Sequence, residues 1–382
     1  MVCMKPRSTA PSLPLMHAVF ILTGLGTMLL GPILPLLTRQ WHLLDAQSGL
    51  LIMAQFCGSF VGGITTSHKL RRDLLAGLIA AGLGMAGFAF APGLGLACGG
   101  LVVGGFGVGR TITAVNIIAG RRFTVQRGAA LSRLNFSWSF GALLSPLLAA
   151  WLTPHFSLRL LLSAFGTLFL LSAAALVFES SHAPAEPAAE EEAAGQVGLN
   201  PSLFFYFAAI LLVYGGLETC LSGWLTTFAL RYGTSSLVLS EYTMVLLLAG
   251  LTAGRAVAAA LLLRMREATL IRVALVLSAG LAALLATAHR AAAIASFAVL
   301  LGFSMAPVFP AALAILIGHR PRARQASAII AASALGAASL PWLMGVISTW
   351  TGSLQLALAI PVGAALVLLV LTLLPAATTT PG

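Results

Sequence analysis

Charge is what this sequence has least of. Only 8% of its 382 residues are Asp, Glu, Lys or Arg, against about 25% in soluble domains. A chain that is 59% hydrophobic with so few charges lacks the polar surface of a water-soluble globule. Cysteine is scarce too. Cys3, Cys57, Cys98 and Cys220 are scattered without CxxC spacing, which argues against a disulfide framework or a metal site. The seven histidines lie at or near loops, and no HExxH or GxSxG occurs, so a hydrolytic enzyme has no visible machinery. No enzyme activity, cofactor or metal is expected. Alternating ten-residue strands are also missing, which excludes an outer-membrane barrel.

What is present is a succession of apolar runs of about 20 residues, the length needed to cross a bilayer as helices. Twelve spans are expected, at 15–38, 46–66, 73–92, 94–119, 128–152, 158–178, 202–231, 238–263, 268–288, 292–318, 324–350 and 352–374. Between the sixth and seventh lies the only long polar stretch. It holds Pro184, Pro187 and the run Glu190-Glu191-Glu192, and reads as a linker. The expected organisation is a six-helix half over 1–178, a cytoplasmic linker over 179–200 and a second half over 201–382. Lys5 and Arg7 precede the first run without a small-x-small cleavage site, so that run reads as a retained span.

The net charge of +11 would suit nucleic acid, but its distribution points to a membrane. With the N-terminus in the cytoplasm, fourteen Lys and Arg fall on the cytoplasmic side, among them Arg71, Arg72, Arg121, Arg122 and Arg322. Four fall outside: Arg39, Arg159, Arg231 and Arg290. This positive-inside bias accounts for the basic composition without nucleic acid. A multi-pass protein of the bacterial inner membrane, with both termini cytoplasmic, is expected.

The two halves repeat each other. Gly24-Leu-Gly-Thr27 matches Gly216-Leu-Glu-Thr219, and Gly58 and Gly62 match Gly250 and Gly254. Gly105-Phe106 matches Gly302-Phe303, and Gly141-Ala142 with Pro146 matches Gly336-Ala337 with Pro341. The matches keep one order at spacings of 192 to 198 residues. Parallel repeats that rock about a site at the membrane midplane are a transporter plan. The GxxxG pairs read as close helix contacts.

Glu218 is the only acidic residue well inside an apolar run, and the repeat pairs it with Gly26. A carboxylate at that depth costs roughly 2.5–3.5 kcal/mol to insert and marks a pathway or a partner. Proton coupling, substrate binding and a permanent structural pair are all open to it. Arg110, deep in span four, could pair with Glu218, bind an anion or hold carbonyls. Arg255 in span eight could pair or snorkel. Two interior cations against one acid favour an anionic solute. Trp138, Trp224 and Trp342 could stack on a sugar ring or simply pack. Thr113, Asn116, Asn135, Gln55 and Tyr214 are neutral groups suited to hydroxyls or to interhelical hydrogen bonds.

The order of these features resembles the Major Facilitator Superfamily and its fucose permease-like sugar transporter branch. The resemblance rests on Tyr214-Gly-Gly-Leu-Glu218 with Trp224, Gly302-Phe-Ser-Met-Ala-Pro307-Val-Phe-Pro310, Gly107-Val-Gly109 with Asn116, and Leu335-Gly336 with Pro341-Trp342. It implies an all-α membrane protein of twelve helices in two pseudo-symmetric six-helix halves. It also implies a monomer carrying a small solute, a sugar first, with protons. Spans one, four, seven and ten would line the cavity, with Pro307 and Pro310 permitting bending. The superfamily loop Gly-xxx-Asp-Arg-x-Gly-Arg-Arg is present as Gly63 to Arg72, keeping Gly63, Arg71 and Arg72 but having Ser67 at the acidic position. Fucose permease's two acids correspond to Gly31 and Ile112, which leaves Glu218 as the coupling candidate. Gly141 to Pro146 is a weakened form of the antiporter pattern, which keeps export of organic anions or drugs by proton antiport as the alternative.

Overall fold

The computed structural model describes residues 11–67, 69–122, 127–179, 198–234, 237–261, 265–319 and 321–374. The expected linker lies almost wholly outside the described residues, as do Lys5, Arg7, Arg264 and Arg320. Everything described is helix and short connection. The first half comprises α1 (Leu13–Met28), α2 (Leu30–Trp41), α3 (Asp45–Ile64), α4 (Leu70–Ala89), α5 (Leu94–Arg122), α6 (Arg127–Leu152) and α7 (Leu158–Glu179). The second comprises α8 (Pro201–Tyr232), α9 (Leu237–Glu241), α10 (Thr243–Leu261), α11 (Glu267–Ala286), α12 (Ala291–Met305), α13 (Val308–Gly318), α14 (Ala323–Thr351), α15 (Leu354–Ala357) and α16 (Ala359–Leu373).

These form twelve rods. Ten are long and apolar enough to cross a membrane, counting α1–α2, α12–α13 and α15–α16 as one rod each. The shorter apolar α10 and the helix α6 complete the set. Leu83, Leu96, Leu171, Phe178, Val370 and Leu373 are all more than half exposed, a surface that suits lipid and not water.

Local chemistry sets where rods begin and break. Ser12 and Asn200 cap α1 and α8, each accepting a backbone N–H three residues on, with Pro in the first turn. The first rod breaks at Leu29 because Pro32 has no N–H for the Met28 carbonyl and its ring crowds that turn. Pro307 and Pro310 break the tenth rod after Met305 in the same way. α8 has no internal Pro and runs unbroken for 32 residues.

Side-chain ties show which ends lie together. At the proximal end, where the described chain starts, Ser12 donates to Glu179, Arg122 to the Pro11 carbonyl, and Arg71 to the Leu176 carbonyl. At the distal end Arg231 meets Asp45, and Gln355 donates to the Ala286 carbonyl.

Glycine places helices at backbone contact, and it does so twice. A methyl on Gly24 would lie 2.1 Å from the Trp138 carbonyl oxygen, and one on Gly141 2.0 Å from that of Ile21. In the second half, Gly215 meets the Ser333 carbonyl at 2.2 Å and Gly336 that of Leu212 at 1.7 Å. Gly58 and Gly105 join α3 to α5 as Gly250 and Gly302 join α10 to α12. The GxxxG reading is therefore correct, and the halves are pseudo-symmetric. One register differs. Packing pairs Gly24 with Gly215 rather than Gly216, so the counterpart of Glu218 is Thr27, not Gly26. A run with glycines at 215 and 216 cannot fix that register by letters alone.

Candidate functional site

The halves meet along α3–α14, α2–α8 and α6–α10. At the distal end this seam is backbone-tight. A methyl on Gly31 would sit 2.4 Å from the Ser222 carbonyl oxygen, and one on Gly345 2.3 Å from that of Asp45. Nearer the proximal end the approach loosens, since a methyl on Gly63 would clear Ala331 of the opposite half by 3.6 Å.

Where the first rod breaks, the seam holds a cleft. Thr27, Met28, Leu30 and Gly31 form one wall, Ile52, Gln55 and Phe56 another, and Thr219, Ser222, Gly223 and Met244 a third. Its free space is about 20 Å³, room for about one water molecule; in this conformation it is nearly shut. Its polar groups are neutral. The Gln55 amide donates to the Thr27 carbonyl at 2.9 Å, bracing the backbone just before the break.

Glu218 sits one residue from that cleft, with its side chain 16% exposed. Arg255 of α10 brings one guanidinium nitrogen to 3.9 Å from a Glu218 carboxylate oxygen. That is ion-pair distance and too long for a hydrogen bond. The other terminal nitrogen of Arg255 donates to the Ser139 hydroxyl on α6, across the seam. The fully buried Tyr214 lies against this pair, its hydroxyl facing both Glu218 and Arg255. One acid, one cation and two hydroxyls thus meet where three helices from both halves converge.

The sequence-level candidates scatter around this cluster. Arg110 does not pair with Glu218. It binds Asp73, through two nitrogens at 2.5 and 3.2 Å from one carboxylate oxygen, and its guanidinium lies 5.4 Å from the Phe106 ring centre. The other oxygen of Asp73 accepts the Ser67 N–H and hydroxyl, both at 2.7 Å. The carboxyl absent at position 67 is thus supplied from the first turn of α4, where the helix dipole also favours it. This cancels the expected surplus of interior positive charge. Arg255 does not snorkel; it turns inward.

Thr113 and Asn116 donate to carbonyls one turn back on α5, and the Thr113 hydroxyl faces Gly63. Trp224 is 1% exposed and donates to the Pro341 carbonyl at 2.9 Å; it packs α8 on α14 and has no face open to the cleft. Trp138 is half-buried with its indole N–H unpartnered. Asn135 and Trp342 are exposed, and Arg72 is exposed at the proximal end. Pro307 and Pro310 sit at the α12–α13 break.

Twelve rods in two pseudo-symmetric sixes, closed at one end and with an ionisable pair about half-way along α8, agree with the sequence match over residues 16–337 to the Major Facilitator Superfamily. The chain belongs to this superfamily. Solved structures agree on the fold. The Escherichia coli fucose:proton symporter superposes with a TM-score of 0.63 at 18% identity, covering 94% of this chain and 97% of that one. A bacterial homolog of the human lysosomal transporter Spinster, inward-facing and unoccupied, gives 0.75 at 13% identity, with 96% of each chain covered. The same homolog in its occupied form gives 0.74 at 14%, covering 96% and 94%. No curated protein matches by sequence.

Within this superfamily member, sequence reasoning missed Ser139, Thr219 and the Asp73–Arg110 pair. Ser139 and Thr219 are small hydroxyls in apolar runs, with no signal beyond their neighbours Trp138 and Glu218. Asp73 has a visible signal, since it follows Arg72 directly, but the letters alone do not separate it from a solvated loop acid.

Proposed function

We propose that this chain is a secondary active transporter that moves a small polar organic solute, a sugar first, by alternating access. Proton coupling runs through Glu218. The observation that carries this is the Glu218–Arg255 pair, held at 3.9 Å without a hydrogen bond at the seam that must part and close. A carboxylate held this loosely can take up a proton when one side opens and release it when the other does. Neutral hydroxyl and amide groups around the cleft favour an uncharged, hydroxyl-rich solute, as does the pairing of Arg110 with Asp73. The fucose:proton symporter of similar fold is consistent with such a cargo. The charge bias of the loops supports an inner-membrane protein with its proximal end in the cytoplasm.

The test is transport in proteoliposomes. Solutes that shift thermal stability are chosen first, from sugars, organic acids and amphiphilic drugs. With an imposed pH gradient, Glu218→Gln should abolish uphill accumulation while solute exchange survives. Undiminished uphill uptake in that variant would remove Glu218 from the coupling role. Accumulation of drugs or organic acids against the proton gradient would favour the exporter.

A further inference from the structure

At the distal end one carboxylate gathers three helices from both halves. Asp45, in the first turn of α3, accepts from both terminal nitrogens of Arg231 at 2.5 Å each, a bidentate pair. The same Asp45 oxygen that takes one of these also accepts the Ser348 hydroxyl of α14 at 2.5 Å. The next amide, Ala46 N–H, donates to Thr349 at 2.9 Å. α3 belongs to the first half, and α8 and α14 to the second. Asp45 is 9% exposed, and the Arg231 side chain 38%. Each charge also suits its own helix, since the acid stands at an N-terminus and the base in the last turn of α8.

The pseudo-symmetric edge has no such tie. α2 carries Arg39 in its last turn, as α8 carries Arg231. Neither α9 nor α10 has an acid in its first turn, and Arg39 makes no ion pair among the described residues. Among the described residues the charged tie is made on one edge only.

We propose that Asp45, Arg231 and Ser348 form a one-sided latch that holds the distal end shut, so its strength sets how often that end opens. The inference rests on the alternating-access reading, but its test reads conformation with no solute and no proton gradient. Failure of the latch and failure of coupling through Glu218 are therefore distinguishable.

The experiment is amide hydrogen exchange by mass spectrometry on the full chain in lipid nanodiscs, following peptides that cover residues 44–50 and 343–351. Asp45→Asn and Arg231→Gln should each speed exchange there about tenfold or more, because one partner of a hydrogen-bonded charge pair is lost. Peptides of α4 and α11 should not change. Ser348→Ala removes a single hydrogen bond and should give about threefold; it serves as the gentler variant if the charge variants do not fold. Arg39→Gln should leave exchange as in the native protein. Native-like exchange in all three latch variants would overturn the proposal. So would acceleration by Arg39→Gln equal to that of Asp45→Asn, since the tie would then not be one-sided.

Discussion

Replacing Arg255 by Gln should expose how firmly the midplane pair is coupled. At 3.9 Å and an effective dielectric of about 20, the Coulomb attraction is about 4 kcal/mol. Two features lower this. The pair lacks a hydrogen bond, and both side chains keep some exposure, 25% and 16%. A coupling energy of about 2 kcal/mol follows, inside the roughly 0.5–3 kcal/mol measured for contacting residues. The assay is a double-mutant cycle on unfolding in matched detergent micelles, using Arg255→Gln, Glu218→Gln and the pair. Arg255→Gln should destabilise strongly, because it leaves a carboxylate without its cation. Adding Glu218→Gln should recover most of the loss. Additivity within about 0.5 kcal/mol would mean that Ser139 alone anchors Arg255. The coupling argument would then lose its basis.

Other outcomes follow from the same geometry. Asp73→Asn and Arg110→Gln should each cost about 3–5 kcal/mol in unfolding assays, and the double variant much less than the sum; additive losses would refute the pair. Arg110→Gln should also slow transport of sugars and organic acids alike, and a selective loss for acids would return Arg110 to the binding site. Gly24→Val should collapse the yield of folded protein, since even a methyl there would sit 2.1 Å from a carbonyl oxygen, whereas Gly93→Val, with open space around it, should be silent by the same expression assay. Trp224→Phe should lose about 1 kcal/mol by removing the indole hydrogen bond to the Pro341 carbonyl while solute affinity is kept. A drop in affinity without a drop in stability would make Trp224 a binding residue.

The order of helices was legible because each rod is an apolar run bounded by charge or proline, and the bilayer demands that period. The repeat was legible too, through glycines whose purpose is backbone contact. The register of the seventh helix was not, because consecutive Gly215 and Gly216 offer two alignments and only the Ser333 carbonyl decides between them. Ion partners were the least legible. Arg110 and Asp73 lie 37 positions apart on neighbouring helices, and Asp45 and Arg231 186 apart. Nothing local in the chain joins them. Burial alone marks Asp73 and Asp45 as more than loop acids.

The unbroken α8 has a consequence for the bilayer itself. At 1.5 Å per residue its 32 residues reach about 48 Å, against a hydrocarbon core of about 30 Å. A rod so much longer than the slab must tilt or stand proud of it. Glu218 is about 26 Å from one tip of α8 and about 21 Å from the other. It therefore stays deep whichever way the rod adjusts, and lipid thickness can change the tilt of α8 without bringing its carboxylate to the headgroups.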